Sequence, residues 1–230
     1  MKKIVAGLVA VAGLASGASA QSAFMDLKVW DGSAWVNDVA VLPGTVVQAA
    51  MFIGFSEGYG LSGAVYQIRG FGGVAGDGVD IASAGLGRQA PFNFGAATQA
   101  VFGDGTNWRI DASSDAANSR NAGIATAQNS PPNLGVGFNT DNPALVYRFD
   151  IVVSADGTIR SIQLEAPLSE LKGATSTAPG VIGVYTSNQA SRGTNYSDVT
   201  TDGATIRVVP TPGALALLGL GGLVAGRRRR

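Results

Sequence analysis

Apolar and polar residues alternate with a period of two over several stretches of the chain, the spacing of a strand with one buried face. The clearest stretch is Leu145 to Ser154. Leu145, Tyr147, Phe149, Ile151 and Val153 share one face, and Arg148, Asp150 and Ser154 lie on the other with Val146 and Val152. Ala155-Asp156-Gly157-Thr158 then supplies a turn, Asp-Gly being a hairpin signal, and Ile159 to Leu164 reads as the returning strand. Thr45 to Phe55 is almost wholly apolar and reads as a central strand covered on both faces. Leu61 to Phe71 alternates again, with Ala64, Tyr66 and Ile68 opposite Val65, Gln67 and Arg69. Weaker strands are expected at Phe24 to Trp30, Trp35 to Leu42, Gln99 to Phe102, Val181 to Tyr185 and Thr205 to Val209. No segment keeps a long 3.6-residue period. Ser113 to Gln128 reads at most as a short helix, and Asn129 to Asn142, with Pro131-Pro132, as loop. Short strands with Gly-rich turns predict an all-β fold, an antiparallel two-layer β-sandwich. Its core is expected to hold Tyr147, Phe149, Ile151, Ile53, Phe55, Tyr66 and Ile68, the inward members of the strongest alternations.

The composition sharpens this picture and narrows the chemistry. Glycine is 33 of 230 residues and charged residues are 14%, a profile that suits strands joined by tight turns. The 16 basic and 16 acidic residues cancel, but six of the basic ones sit at the ends: Lys2, Lys3, Arg227, Arg228, Arg229 and Arg230. The interior therefore carries 10 − 16 = −6, which argues against nucleic acid as a partner. Cysteine and histidine are both absent. That excludes disulfides, thiolate metal sites, Ser-His-Asp and Cys-His catalysis, and the commonest zinc ligand.

The two ends read as export signals. Lys2 and Lys3, the apolar run Ile4 to Leu14, and the small residues Ala18-Ser19-Ala20 have the pattern of a signal peptide, with cleavage after Ala20 leaving Gln21 first. At the other end Val209-Pro210-Thr211-Pro212 precedes the uncharged stretch GALALLGLGGLVAG, from Gly213 to Gly226, and then Arg227 to Arg230. As a helix those 14 residues would be about 21 Å long, short for a hydrocarbon core of about 30 Å. The arginines would stay cytoplasmic. This tripartite tail closely resembles the PEP-CTERM sorting signal, in which a Pro-containing motif, a short apolar transmembrane helix and an Arg cluster are read by an exosortase. Thr211 stands where that family usually has Glu. The resemblance implies an exosortase-like membrane protease as partner during export, besides signal peptidase. It also implies transient anchoring in the inner membrane and a final place at the cell envelope, outer surface or extracellular matrix. The expected division is a signal peptide at 1–20, a secreted sandwich at 21–208 and the sorting signal at 209–230.

Within the body, Leu42-Pro43-Gly44-Thr45-Val46-Val47, the strand after it and Leu61 to Ile68 resemble the opening of cohesin-like sandwiches, and Leu145 to Glu165 is similar to their later strand pair. The pattern is shared by many bacterial surface domains and, like the jelly roll, implies a sandwich without implying a dockerin.

Acid–base catalysis here would rest on carboxylates, Tyr or Lys. Five aspartates precede glycine, at Asp31, Asp77, Asp104, Asp156 and Asp202, and turn formation accounts for them. No catalytic residue and no cofactor is assigned. Calcium is the one metal weighed, at Asp77-Gly78-Val79-Asp80 and Asp104-Gly105-Thr106-Asn107. Neither stretch has EF-hand spacing or a nonapeptide repeat, so no metal site is assigned either. Trp30, Trp35, Trp108, Tyr59 and Tyr196 offer a sugar-stacking platform, although core packing is the commoner use of such rings. The sequence thus reads as an exported, non-catalytic surface or matrix protein. The alternative is a carbohydrate-binding module acting on extracellular polysaccharide.

Overall fold

The computed structural model describes residues 21–94, 98–112, 123–133, 137–168 and 180–210. The expected signal segment, Thr211 to Pro212, the apolar tail and the four arginines lie outside them. Among the described residues no helix is long and apolar enough to cross a membrane, and the only helical element is one 3₁₀ turn at Pro131–Asn133.

The strands, in chain order, are β1 (Ser22–Trp30), β2 (Trp35–Val36), β3 (Asp38–Val41), β4 (Val46–Phe55), β5 (Gly60–Tyr66) and β6 (Ile68–Phe71). Then follow β7 (Gly78–Asp80), β8 (Gly87–Arg88), β9 (Gln99–Asp104), β10 (Asn107–Ala112), β11 (Ile124–Ala127) and β12 (Ala144–Val152). The last are β13 (Arg160–Glu165), β14 (Ile182–Tyr185), β15 (Thr194–Tyr196), β16 (Asp198–Asp202) and β17 (Ala204–Val208). They form an all-β sandwich. One layer is a sheet of order β16-β1-β4-β12-β7, with β2 on β1 and β8 on β12. Facing it are a sheet of order β3-β17-β13-β6-β10-β9 and a smaller one of order β11-β5-β14-β15.

The core follows the alternation. Ala23, Met25, Leu27 and Val29 of β1 point inward, as do Val47, Ala49, Met51, Ile53 and Phe55 of β4. The seven expected core residues are all buried in this one cluster. Trp108 lies edge-on to Phe149 with ring centroids 6.1 Å apart, which joins β10 to β12 across the layers. Its indole also covers Gly70, where a Cβ would stand 2.2 Å from the ring.

Several expectations need correction. The sheets are not purely antiparallel: β1 pairs β16 in parallel, and so does β17 with β3. Leu145–Ser154 and Ile159–Leu164 do not form a hairpin. β12 pairs β4, β7 and β8, whereas β13 pairs β17 and β6 in the opposite layer. The Asp156-Gly157 segment is an arch between layers. A bulge between Leu145 and Tyr147 also moves Leu145 off the inward row that its spacing suggested. Leu61–Phe71 is two strands in two sheets, parted at Gln67, whose amide donates to Pro167 O at 3.0 Å. Trp35–Leu42 likewise divides at Asn37 into β2 and β3. Of Ser113–Gln128, residues 113–122 lie outside the description, and Ile124–Ala127 is a buried strand rather than helix.

Asn37 marks where both ends of the body change layer. Its amide donates to Asp26 Oδ1 (2.8 Å), Leu27 O (3.3 Å) and Gly203 O (3.1 Å). Gly203 is the matching crossing between β16 and β17, and a Cβ there would meet Leu164 O at 2.2 Å.

Candidate binding faces

The most elaborate polar constellation sits under the arch between β12 and β13. Asp77 and Arg160 form a buried bidentate pair, Nη2 to Oδ1 at 2.5 Å and Nε to Oδ2 at 2.9 Å. Arg160 Nη1 also donates to Asp156 O and Thr158 O, each at 3.0 Å, and Nη2 donates to Ser154 Oγ at 3.1 Å. Asp77 in turn accepts from the amides of Val74 and Ser154, both at 2.9 Å. Burial works against the Asp77 charge. The Arg160 and backbone donors outweigh it, so the carboxyl is held below its ordinary range. With every lone pair and proton engaged, this pair closes the arch and leaves no coordination position for calcium.

Three of the other four Asp-Gly aspartates act as the turn reading expects, whereas Asp202 ends β16 opposite Asp26. Asp31 accepts from the amides of Ala34 and Ser33 and from the Ser33 hydroxyl. Asp104 accepts from the Thr106 hydroxyl and amide and from the Asn107 amide. Asp156 accepts from the Thr158 amide. These bonds hold all three carboxyls below their usual value. Asp80 caps its own turn through Ser83 and Ala82. Its cross-strand partner is Asp150. Burial and the Asp80 charge push the Asp150 carboxyl up, against the pull of Arg148. Among the described residues, no group of three or more acidic side chains could hold a metal.

The five rings proposed for a platform are divided by the fold. Trp108 and Tyr196 are core residues, Tyr196 donating to Glu57 O at 2.7 Å. Trp30 and Trp35 stand on the outer face of the first sheet with Phe52, a ring absent from the expected set. Trp30 and Trp35 meet edge-on at 5.3 Å, and Trp35 and Phe52 at 5.7 Å. Tyr59 is elsewhere, stacked on Phe138 at 5.6 Å.

A second face went unnoticed in the sequence because β10 was not recognised as a strand. The outer side of the β13-β6-β10-β9 sheet carries Glu165, Arg69, Arg109 and Phe102 in one cross-strand row. The next row is Gln163, Phe71, Asn107 and Asp104. Arg69, Arg109, Gln67, Asn107, Phe102 and Asp111 line a cleft of about 570 Å³. The alternation Trp108-Arg109-Ile110-Asp111 was the available signal, and it lies directly after an Asp104-Gly105 turn.

Of the expected sorting motif, Val209 and Pro210 are described and half-buried, and Val209 donates to Val41 O at 2.9 Å. Gln21, at the expected signal cleavage, is exposed. Ala18, Ala20, Thr211, Pro212 and Arg227 to Arg230 lie outside the described residues.

No family model matches the chain, and no curated protein does. Solved structures that match include cohesin domains. The sixth cohesin of scaffoldin B from Acetivibrio cellulolyticus, solved with a Cel5 dockerin, is 9% identical with a TM-score of 0.43; the match covers 83% of this chain and 99% of that one. The seventh ScaB type I cohesin from Pseudobacteroides cellulosolvens is 7% identical with a TM-score of 0.43, covering 84% and 94%. A type II cohesin from the Acetivibrio cellulolyticus cellulosome is 13% identical with a TM-score of 0.40, covering 80% and 95%.

Proposed function

We propose that this chain is an exported, non-catalytic protein of the cell surface or extracellular matrix. Its body is an interaction sandwich, and its tail is a sorting signal for an exosortase-type protease. The observation that carries this reading is the strand pairing that completes the described body close to both expected signals. The first strand begins at Ser22, two residues after the expected cleavage, and the last ends at Val208, just before Val209-Pro210-Thr211-Pro212. Asp31, Asp77 and Asp104 are engaged in turns or in the arch, which supports a binding role over a catalytic one for these carboxylates. The test is fractionation of the native host. The body is expected in the surface or medium fraction, starting at Gln21. Finding it in the cytoplasm with residues 1–20 intact would overturn the reading.

The outer aromatic group of Trp30, Trp35 and Phe52 favours a second reading, a carbohydrate-binding module. A glycan array on the mature protein decides it, since absence of binding to any polysaccharide removes this alternative.

A further inference from the structure

The geometry points to the cleft on the β13-β6-β10-β9 face as a site for a uronate-bearing polysaccharide whose carboxylates are spaced by neutral sugars. This deepens the surface-protein reading above by naming the partner's chemistry, and it rests on that reading.

The argument begins with a like-charge pair. Arg69 and Arg109 are direct cross-strand partners, an arrangement that is unfavourable without an anion between or beside them. Each is oriented from its Nε side. Arg69 donates through Nε (3.1 Å) and Nη2 (2.6 Å) to Gln67 Oε1. Arg109 places Nε 3.4 Å from Asp111 Oδ2 and lays its guanidinium over the Phe102 ring, 4.9 Å from the centroid. Asp111 does not neutralise the pair fully. It is buried and also accepts from Gln67 Nε2 (2.7 Å), the Ala112 amide (2.8 Å) and the Gly123 amide. Both Arg109 η-nitrogens and Arg69 Nη1 have no hydrogen-bond or ion-pair partner among the described residues. Two pre-oriented guanidinium edges lining one cleft make a seat for a planar carboxylate.

The surroundings select the kind of anion. Glu165 is the strand partner of Arg69 but forms no ion pair with it among the described residues, and Asp104 closes the neighbouring row beyond Asn107. The positive spot is therefore bounded by negative charge on both sides, and the chain interior carries −6. A polymer charged at every unit would be repelled along these borders; one with isolated carboxylates would not. Phe71, 39% exposed in the row beside the arginines, offers a ring for a neutral sugar between the amides of Gln163 and Asn107. A peptide adding a strand would pair along the edge of β9, at the border of the cleft, whereas the two guanidiniums stand on the sheet face at β6 and β10.

The test uses the mature protein recovered from its own host. Calorimetry compares a hyaluronan octasaccharide, in which uronates alternate with neutral sugars, with a chito-oligosaccharide of equal length, a polygalacturonate oligomer and a polyglutamate peptide. The hyaluronan fragment is expected to bind at least tenfold more tightly than each of the others. Arg69→Gln/Arg109→Gln should lose that tenfold with an unchanged melting temperature, and Glu165→Gln should narrow the gap to polygalacturonate. Val46→Thr, an exposed position on β4 of the other layer, should change nothing. Equal binding of the neutral oligomer, or tighter binding of polyglutamate, would overturn the proposal. So would an unaffected double variant, or no binding at all. A failure here with the body still found at the surface leaves the export reading standing, so the two are separable.

Discussion

Asp77 and Arg160 are 83 positions apart, yet they decide how the chain passes between layers. Removing one partner of a buried, hydrogen-bonded pair leaves the other charge uncompensated, so Asp77→Asn is expected to cost about 3–5 kcal/mol in urea unfolding. An apolar double replacement should not recover this cost, because the amides of Val74 and Ser154 and the carbonyls of Asp156 and Thr158 would lose their partners too. The pH sign follows from the depressed Asp77 carboxyl. Its contribution is fully present above the unfolded value of about 3.9 and is lost as pH falls through the folded value. Asp150 behaves oppositely. Its carboxyl is raised, so it disfavours the folded state increasingly as pH rises through the ordinary Asp range. Asp150→Asn should therefore raise the melting temperature at pH 7 and leave it unchanged near pH 3. Scanning calorimetry at the two pH values checks this, and an equal shift at both would refute the assignment.

At the scale of elements, the expected strands largely exist, but their partners were often hidden. Tyr66-Gln67-Ile68 alternates without a break, so nothing local shows that Tyr66 belongs to one sheet and Ile68 to another. Asp156-Gly157 signals a turn but not whether the flanking strands pair or arch, because that depends on Asp77 in another part of the chain. Short elements such as Gly87–Arg88 and Asp198–Asp202 carry too few apolar residues to register as strands, and pairing with β12 and β1 creates them. The buried faces were legible because burial follows spacing within a strand. The Arg69–Arg109 cleft was not, because it is assembled from strands whose register depends on the whole sheet. Two substitutions test this packing. Phe149→Ala should cost about 3–5 kcal/mol, since the ring is fully buried against Trp108. Gly70→Ala should cost about 1–3 kcal/mol by displacing the Trp108 indole. Tryptophan emission should shift to the red in the second variant, and unchanged emission and stability would show that the indole does not lie there.

For the whole molecule, the body is closed at both ends by its own pairing. Ser22 faces Asp198 in register, Val209 donates to Val41 O, and Asn37 ties the crossing at Gly203 to β1. The chain beyond Pro210 is therefore expected to be dispensable for folding, and under the proposed function its role would be sorting. A Gly- and Ala-rich segment of about 14 residues is a poor permanent anchor, because it brings little apolar area and is shorter than the hydrocarbon core. On the proposed reading Arg227 to Arg230 would do the holding, since each guanidinium costs about 2.5–3.5 kcal/mol at the bilayer centre even on the lenient insertion scale. Pro210 and Pro212 prevent regular structure from continuing across them and keep the preceding segment extended, the form in which a protease binds a chain along its edge. Export is thus expected to pause with Gly213 to Ala225 in the membrane. A cut near Val209 to Pro212 is then expected to free the body into the medium or onto a surface polymer. Replacing all four arginines with Ser should let unprocessed chain slip through or misplace its tail. Intact-mass measurement of the surface and secreted fractions decides the matter: a mature protein ending near Val209 to Pro212 is expected, and one carrying the tail through Arg230 would mean a plain C-terminal anchor instead.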